Sequence, residues 1–296
     1  MRELVIISGK GGTGKTSIVG CFAVLAKKKV LADCDVDAAD LHLLLLPEIK
    51  EWREFYAGKR ASIRQRDCIR CGACLARCRF EAVRMNGTGA GEATFRIDPL
   101  SCEGCGVCVH FCPQQAIDFA EKKAGEWYLS ETRYGPMVHA QLGIAEGNSG
   151  KLVTLVRNQA HRIAKERGLD WVIIDGAPGI GCPVIASIAG ADLILIVTEP
   201  TLSGQHDMAR VVQLTQHFHA PVALCINRYD LNERISDGIR RWCKENGIPV
   251  LGEIPYDTRF TEAQTRHMSL VEYSEGKAAQ VIKSIWQGLM DVRQKT

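Results

Sequence analysis

The chain has 296 residues, 13 of them cysteine, and a formal net charge of +3. Domains usually contain about 100–200 residues, so this length predicts one large domain or one domain that carries a smaller one. Charged residues make up 24% of the sequence and hydrophobic residues 46%, which is ordinary for a globular protein. This composition excludes a wholly disordered, collagen-like or coiled-coil chain, and the charge is too small to indicate nucleic-acid binding.

The cysteine content is the unusual feature of the composition. A chain of this length does not need disulfides to fold, so cysteines predict metal binding or redox chemistry. The apolar run at residues 4–7 is too short for a signal peptide, and no run approaches the roughly 20 residues that span a bilayer. We therefore expect a cytoplasmic protein without stable membrane insertion.

The first elements along the chain are a strand, a glycine-rich loop and a helix. Residues 4–8 form a short apolar run, residues 9–14 interrupt it with glycines, and residues 15–28 carry apolar side chains on one helical face. A second strand over residues 30–34 runs into an acidic turn. Near residue 60 the composition changes, because residues 63–117 contain eight cysteines and few long apolar runs.

A regular alternation of strands and helices is predicted for the second half of the chain. It follows a less regular stretch at 118–150. The predicted strands are 171–175, 193–198, 221–227 and 249–254, and the predicted helices are 183–190, 204–217, 233–246 and 276–292. Such alternation indicates a mostly parallel sheet covered by helices on both faces. We predict an α/β domain formed by residues 1–62 and 118–296, interrupted by a small α+β insert at residues 63–117.

A phosphate-binding loop lies between the first strand and the first helix. Residues 9–16 read G-K-G-G-T-G-K-T and fit the pattern G-x-x-x-x-G-K-[ST]. Glycines let backbone N–H groups surround phosphates, and the helix N-terminus favours the anion. Lys15 would contact the β- and γ-phosphates, and Thr16 would hold Mg²⁺. The predicted nucleotide contacts are Gly11, Gly12, Thr13, Gly14, Lys15, Thr16 and Ser17.

The early lysine in this loop makes the motif more specific. Residues 10–16 resemble the K-G-G-x-G-K-[ST] loop, the deviant Walker A motif, of the MinD/ParA/Mrp ATPases. The resemblance implies a P-loop NTPase fold, ATP or ADP with Mg²⁺ as ligands, and ATP hydrolysis by a dimer. In that family the early lysine reaches the partner's phosphates, which implies a catalytic role for Lys10. The dimer would be a homodimer or a heterodimer with a paralogous ATPase.

Later segments match the same family in the same order. Residues 30–35 resemble switch I, which implies that Asp35 positions the attacking water. Residues 171–179 resemble Walker B and switch II, so Asp175 would act on Mg²⁺ through water and the Gly179 N–H would sense the γ-phosphate. Taken singly, either aspartate is also explained as a polar residue that ends an apolar strand at a turn.

Two further segments resemble the adenine side of the family's nucleotide site. Residues 226–230 read I-N-R-Y-D and residues 254–257 read I-P-Y-D. The resemblance implies that Asn227 reads the base, with Pro255 and Asp257 beside it. Taken alone, Asn227 is also explained as a cap at the end of a strand.

The insert contains two copies of C-x₂-C-x₂-C-x₃-C, the second followed by proline. This is the spacing of a bacterial two-cluster ferredoxin, in which the fourth cysteine of each copy binds the other cluster. The predicted ligands are Cys68, Cys71, Cys74 and Cys112 for one [4Fe–4S] cluster and Cys102, Cys105, Cys108 and Cys78 for the second. Zinc is the weaker interpretation, because zinc sites use paired C-x₂-C knuckles without a third cysteine at this spacing.

The first copy departs from the usual pattern, since Arg79 stands where proline is usual. Six arginines surround this copy, at positions 64, 66, 70, 77, 79 and 84. They indicate either a docking surface for an acidic partner or compensation of the cluster's own negative charge. The segment between the copies, residues 84–98, predicts a hairpin with a glycine-rich tip at 87–91.

Five cysteines remain outside the two copies: Cys21, Cys34, Cys182, Cys225 and Cys243. Most are expected to pack as small apolar residues. Cys182 follows Asp175 by seven residues, a spacing at which the nitrogenase iron protein holds a cluster shared between subunits. The second cysteine that such a site needs is not apparent, since residues 147–151 contain none. A buried or substrate-proximal thiol is therefore the alternative interpretation for Cys182.

Together these features predict an ATPase in which the nucleotide gates a redox or metal-delivery event. The chain resembles MinD-type ATPases with an inserted ferredoxin domain, which implies assembly of iron–sulfur or mixed-metal cofactors on a client protein. Two other functions stay open. One is a spatial-positioning ATPase of the MinD/ParA kind with a redox-sensing insert, and the other is an ATP-driven reductase component. No nucleic-acid partner is expected.

Overall fold

A computed structural model describes residues 1–87, 94–144, 146–147 and 149–291. Its strands are β1 (Arg2–Ser8), β2 (Lys29–Asp33), β3 (Glu48–Ile63), β4 (Val83–Asn86), β5 (Thr94–Ile97), β6 (Ile117–Thr132), β7 (Gly135–Leu142), β8 (Trp171–Pro178), β9 (Leu193–Thr198), β10 (Val222–Asn227) and β11 (Val250–Ile254). Its helices are α1 (Lys15–Leu25), α2 (Leu41–Leu45), α3 (Ala73–Arg77), α4 (Val107–His110), α5 (Ser149–Glu166), α6 (Cys182–Ile188), α7 (Leu202–Gln216), α8 (Glu233–Glu245), α9 (Arg259–Gln264), α10 (Leu270–Tyr273) and α11 (Lys277–Asp291). None of the helices within these residues is long and apolar enough to cross a membrane.

The strands form one large sheet in the order β11-β10-β9-β1-β8-β2-β7-β6-β3, and β4 pairs with β5 in a separate small sheet. The pairings from β11 through β7 are all parallel. In the middle of the sheet, β1 lies between β8 and β9, neither of which is its neighbour in sequence. The predicted α/β fold with a mostly parallel sheet flanked by helices is therefore confirmed. The continuous apolar runs of β1, β8 and β9 follow from burial on both faces.

The chain divides into two compact units, whose boundaries fall within β3, within β6, directly after β7 and directly before α5. The first unit comprises Met1–Arg53, Glu126–Leu142 and Ser149–Thr296, and the second comprises Glu54–Gly125 and Gly143–Asn148. Identification of the cysteine-rich segment as a ferredoxin domain stays a prediction at this point.

The core of the first unit includes α1 and α11 packed against the sheet. Phe22 of α1 and Trp171 of β8 both contact the buried ring of Trp286, with ring centroids 5.3 and 5.4 Å away. Burying a large apolar side chain stabilises the fold by about 1.5–3 kcal/mol, so this aromatic group is a major contribution to the core. The apolar face of the last helix is consequently used in packing.

The second unit contains two short helices that are each preceded by a glycine in the left-handed conformation. Gly72, at φ 72°, precedes α3, and Gly106, at φ 75°, precedes α4. The antiparallel strands β4 and β5 pair with Val83 opposite Ile97. They are the two arms of the predicted hairpin, whose tip at 88–91 lies outside the described residues.

The expectation about the stretch between the two halves of the α/β domain was wrong. The stretch 118–150 is not irregular, because it contains most of β6, all of β7 and the start of α5. The charged residues of β6 prevent its recognition as a strand from sequence, because its strand structure depends on pairing within the large sheet. Helix α5 was missed altogether, although its buried residues Leu152, Val156 and Ala160 lie on one face.

The first helix is also shorter than predicted. It ends at Leu25 rather than at residue 28, because Ala26 is extended and Lys28 has a φ of 47°. The predicted end of the last helix at residue 292 lies outside the described residues.

Candidate functional site

A cleft of about 750 Å³ opens at the carboxyl ends of the parallel strands of the first unit. Ligands of α/β proteins bind in this position, outside the carboxyl ends of the strands. The predicted residues that line the cleft are Gly11, Gly12, Thr13, Gly14, Lys15, Thr16, Ser17, Asp35, Asn227, Pro255 and Asp257. The volume lies in the range of ligand-binding pockets, about 300–1,000 Å³. The cleft is not lined by three other predicted residues: Lys10, Asp175 and Gly179.

The glycine loop is held in place by Asn227. The Asn227 side chain is buried, and its Nδ2 donates a hydrogen bond of 2.7 Å to the carbonyl of Thr13. Its Oδ1 accepts a bond of 3.1 Å from the backbone N–H of Arg228. Gly14 has a φ of 87°, and a Cβ there would overlap Asn227 Nδ2. In this structure Asn227 therefore positions the phosphate loop, and its role as a base reader stays a prediction.

Lys15 is buried among carboxylates. Its Nζ contacts Asp175 Oδ1 and lies 3.5 Å from Asp35 Oδ2. Burial alone would lower the pKa of Lys15, but the charges of Asp175 and Asp35 outweigh it, so the pKa is raised and the ammonium form is favoured. The strands bring these groups together, because Asp33 of β2 stands opposite Asp175 of β8.

Burial and mutual repulsion shift the pKa values of the acids as well. Burial, together with the charge of Asp175, raises the pKa of Asp33 well above its usual value. Backbone N–H groups of Asp35 and Leu41 donate to the Asp33 carboxylate at 3.1 and 3.2 Å. Burial, opposed by Lys15, raises the pKa of Asp35 to about 6. The acids around Lys15 therefore take up protons more readily than exposed carboxylates do.

Among the described residues, two buried oxygens at this site lack a hydrogen-bond partner: Asp175 Oδ2 and Thr13 Oγ1. Leaving a buried polar atom unsatisfied costs about 1–3 kcal/mol, so such atoms are expected to meet a ligand or water. A carboxylate oxygen and a hydroxyl are groups that Mg²⁺, its water ligands and phosphate can use. Thr16, the predicted Mg²⁺ ligand, lines the same cleft.

Lys10 points away from these acids and binds a carboxylate that the sequence did not indicate. Its Nζ lies 2.6 Å from Oε1 of Glu199, and Oε2 of Glu199 lies 3.2 Å from Nη1 of Arg228. Glu199 follows directly after β9. The sequence shows an acid directly after an apolar strand, but only the sheet order places that strand beside β1, so Glu199 could not be recognised as the partner of Lys10.

Two further predicted nucleotide contacts, Gly179 and Asp257, interact with protein groups. The Gly179 N–H donates to the carbonyl of Ser8 at 2.8 Å, so sensing a γ-phosphate requires release of this bond. Asp257 is paired with Arg259 at 2.6 Å, and this hydrogen bond lowers its pKa. The cleft is also lined by residues that the sequence did not single out: Leu43, Leu44, Arg228, Tyr256, Phe260, Thr261, Gln264 and His267.

The second unit contains two small cavities, each lined by four cysteines. The first is lined by Cys68, Cys71, Cys74 and Cys112. The second is lined by Cys78, Cys102, Cys105 and Cys108. Over the described parts of the chain, no three His, Cys, Asp or Glu side chains are grouped closely enough to hold a single metal ion.

The cysteine sulfurs at the ends of the two motifs receive backbone N–H groups. The N–H of Ala116 donates to Cys112 Sγ at 3.3 Å. Burial by itself would raise the pKa of Cys78, but backbone N–H groups, including those of Phe80 and Ala82, outweigh it and lower the pKa. Such donors stabilise a thiolate, which is the form that binds metal.

Several arginines around the first motif are paired locally. Arg64 contacts both Asp67 and Asp118, and Arg84 lies 3.0 Å from Asp98. The side chain of Arg77 lies over the ring of Phe111, 4.5 Å from the centroid. These contacts account for part of the basic character of this segment.

The five remaining cysteines divide by burial. Cys21, Cys34, Cys225 and Cys243 are buried, as expected of packing residues, and Cys182 is exposed. Cys182 is the first residue of α6, and its Cβ lies close to Gly150 at the start of α5. A buried-thiol interpretation of Cys182 is thus wrong, because this residue faces solvent.

Comparison with known proteins also indicates a nucleotide-binding site in this chain. Residues 4–271 match the family model CbiA, described as the CobQ/CobB/MinD/ParA nucleotide binding domain. The chain is similar to an uncharacterized protein of Methanocaldococcus jannaschii, 32% identical over 295 residues that cover 98% of this chain and 97% of the relative. It is also similar to an iron-sulfur cluster carrier protein of Pyrococcus abyssi, 26% identical over 156 residues that cover 48% of this chain and 52% of the relative.

A solved structure shows the same fold. The septum site-determining protein MinD of Pyrococcus horikoshii, complexed with Mg-ADP, superposes with a TM-score of 0.58 and 18% identity, covering 100% of this chain and 98% of that one. The family match spans most of the chain and includes the glycine loop, both aspartates and Asn227. The chain belongs to the CobQ/CobB/MinD/ParA nucleotide-binding domain family.

Proposed function

We propose that this protein is an ATPase that couples a nucleotide switch to two [4Fe–4S] clusters in its second unit. The coupling would serve electron transfer or delivery of a metal cluster to a client protein. One observation carries the proposal. The eight cysteines with ferredoxin spacing sort into two groups of four around separate cavities, in a chain whose first unit has the family's nucleotide site. A Pyrococcus relative named as an iron-sulfur cluster carrier supports the cluster-delivery form.

The residues of the cleft fit MgATP. When MgATP is bound, Lys15 would contact the β- and γ-phosphates in place of its carboxylate partners, and Thr16 would hold Mg²⁺. Asp175, whose buried Oδ2 lacks a hydrogen-bond partner among the described residues, would bind a water ligand of that ion. Asp35 orients the attacking water, and Lys10 neutralises charge on the phosphates of the partner in a dimer. That partner is a second copy or a paralogous ATPase.

The cysteines fit two cubane clusters better than single ions. A cubane binds four thiolates on four different irons, so its ligands stand apart by the width of the cluster. This agrees with cysteines that line a cavity together without forming a single-ion site in the described residues. The groups are crossed between the motifs, since Cys112 joins the first and Cys78 the second, as ferredoxin spacing requires. When bound, the clusters would supply one-electron transfer.

A spatial-positioning ATPase that binds and leaves a membrane in each nucleotide cycle is the weaker alternative. It needs an apolar helix face that is free to bind lipid. In α11 the side chains of Trp286 and Leu289 are buried in the first unit, at 5% and 1% exposure. Residues 292–296 lie outside the described residues. Sedimentation of the protein with liposomes only in the presence of ATP would favour this alternative over cluster assembly.

Anaerobic reconstitution tests the clusters directly. The wild-type chain should bind about eight iron and eight sulfide, because each cubane contains four of each. The double variant Cys71→Ser/Cys112→Ser removes two ligands of one proposed cluster and should retain about four iron. The matched variant Cys71→Ser/Cys78→Ser removes one ligand from each and should impair both. Equal iron loss in the two variants, or four iron in the wild type, contradicts the crossed assignment.

The nucleotide site is tested by steady-state ATPase assays and by nucleotide binding. Lys10→Ala should abolish turnover and leave ATP binding partly intact, since the role of Lys10 lies across the dimer. Asp35→Ala should trap bound ATP without hydrolysis. Lys27→Ala, which removes an exposed lysine after α1, is the matched control and should turn over ATP normally. Unimpaired turnover by Lys10→Ala would show that the cross-dimer role is wrong.

A further inference from the structure

The two lysines of the glycine loop are held by different carboxylates. Lys15 is buried against Asp175 and Asp35, whereas Lys10 contacts Glu199. The side chains of Lys10 and Glu199 are 29% and 14% exposed, so the pair is partly shielded from water. An ion pair of this kind is less screened than one on the open surface.

Every donor of Lys10 has an acceptor within its own chain. Besides Glu199 Oε1 at 2.6 Å, the ammonium group donates to Thr201 Oγ1 at 3.1 Å and to Ser203 Oγ at 3.3 Å. A lysine ammonium carries three donors and no acceptor. Lys10 therefore has no donor left for another anion unless one of these bonds breaks.

The sheet order explains why Glu199 occupies this position. Glu199 follows β9, which lies between β1 and β10. The loop after β1 carries Lys10, and the segment after β10 carries Arg228. One carboxylate oxygen contacts Lys10 and the other contacts Arg228, so the arginine fixes the orientation of the carboxylate toward the lysine. Arg228 Nη1 also approaches the carbonyl of Gly12 at 3.4 Å, which links the arrangement to the loop backbone.

We infer that Glu199 is a positioning residue that competes with a partner's phosphates for Lys10 and thereby sets the threshold for ATP-dependent dimerisation. This inference rests on the proposed function, because the competitor is the nucleotide of the second subunit. Glu199 does not touch the reacting atoms of its own site. Its effect is to keep the early lysine on its own chain until a doubly anionic competitor replaces a single carboxylate.

A purely structural role for Glu199 leads to different expectations. If the pair only braced the glycine loop, its loss would weaken ATP binding and lower stability without altering how Lys10 reacts or how the protein dimerises. Competition predicts the reverse pattern. The affinity of the monomer for ATP stays near that of the wild type, while Lys10 becomes more reactive and the dimer forms at lower protein concentration.

The test uses the full, cluster-loaded chain and the variant Glu199→Gln, which removes the charge and keeps the shape. Without ATP, pulse labelling with an amine-reactive acetate ester, read by mass spectrometry, should modify Lys10 about fivefold faster than in the wild type. With a non-hydrolysable ATP analogue, sedimentation should show half-dimerisation at about one-fifth of the wild-type concentration. Ser203→Ala removes the most distant acceptor of Lys10, keeps the N-cap residue Thr201 of α7, and should shift both readouts in the same direction.

The matched control is Glu253→Gln, which removes another carboxylate that contacts an arginine in the first unit, Arg240 at 2.6 Å. It should leave both readouts unchanged. In a Lys10→Ala background, Glu199→Gln should have no effect on dimerisation, since the competing group is gone. Unchanged labelling and threshold in folded Glu199→Gln, or an equal shift in the Lys10→Ala background, overturns the inference. A wild-type chain that binds the analogue but never dimerises contradicts the proposed dimer and this role together, whereas a dimerising wild type with an unshifted variant contradicts only the role of Glu199.

Discussion

Replacing Gly14 by alanine tests whether the glycine loop is shaped by contact with Asn227. Gly14 has a φ of 87°, a conformation that residues with a Cβ rarely adopt. The added Cβ would also overlap Asn227 Nδ2, the atom that donates to the carbonyl of Thr13. Gly14→Ala should therefore lose stability for two separate reasons, the unfavourable backbone conformation and the overlap with Asn227.

The neighbouring glycines separate these costs. Gly12 has a φ of 80° and open space around its Cβ position, so Gly12→Ala carries only the backbone cost, about 1–2 kcal/mol. Gly11 has open space and no left-handed backbone, so Gly11→Ala should stay within about 0.5 kcal/mol of the wild type. Gly14→Ala adds the displaced, buried Asn227 amide, worth about 1–3 kcal/mol. We expect the free energy of unfolding to fall by about 2–5 kcal/mol in that variant.

Urea unfolding of the three cluster-loaded variants, followed by far-ultraviolet circular dichroism and by tryptophan fluorescence, measures these differences. Gly14→Ala should also bind ATP more weakly than Gly12→Ala, because its loop backbone is no longer held by Asn227. Equal midpoints for Gly14→Ala and Gly12→Ala would refute the reasoning, since the Asn227 contact would then contribute nothing. The variant Asn227→Ala/Gly14→Ala relieves the overlap and should lose less than the sum of the single changes.

Three further predictions concern charge and thiols. Lys15→Met leaves buried acids without their cation, so thermal unfolding should show a loss of about 3–5 kcal/mol near pH 7 and a smaller loss near pH 5, where the acids bind protons. Burial raises the pKa of Asp35 to about 6, so over this pH range the folded chain takes up a proton that the unfolded chain does not. Because Asp35 is already half protonated at pH 6, the wild type should gain about 1 kcal/mol of stability relative to Asp35→Asn between pH 6 and pH 5. An unchanged difference between these two proteins across that interval would contradict the shift. In the cluster-loaded protein a thiol reagent should modify the exposed Cys182 quickly and the four buried cysteines outside the clusters slowly. Burial raises the pKa of Cys21 and of Cys243 to about 11, so these thiols are rarely in the reactive thiolate form. Fast reaction of more than one thiol would contradict the burial.

Sequence patterns located the strands of the parallel sheet well. The prediction of 193–198 matches β9 at both ends, and the strands at 171, 221 and 249 begin within one residue of those observed. Such strands are buried on both faces, so their apolar runs are continuous and end abruptly at polar turns. The same reasoning failed for β6, whose charged residues are tolerated because pairing with neighbouring strands decides its structure.

The sequence predicted residues of the candidate nucleotide site but not the contacts that they make with one another. The glycine loop, Asp35, Asp175 and Asn227 are recognisable in sequence because each follows an apolar strand or precedes a helix. The partner of Lys10 was not recognisable. Glu199 is 189 residues away along the chain, and only the order of strands in the sheet brings the two together.

The sequence alone showed that the content of 13 cysteines is unusual for a chain of this kind. It also showed that eight of them have ferredoxin spacing, because the loops that bind a cluster are defined by intervals along the chain. It also determined the phosphate loop, which is a local structure of glycines between a strand and a helix. The tertiary structure decided which carboxylate each lysine binds and which thiols are buried. It brought Glu199 next to Lys10 and left Cys182 exposed while it buried the other four cysteines outside the motifs. These properties depend on contacts between distant segments, which spacing along a chain does not specify.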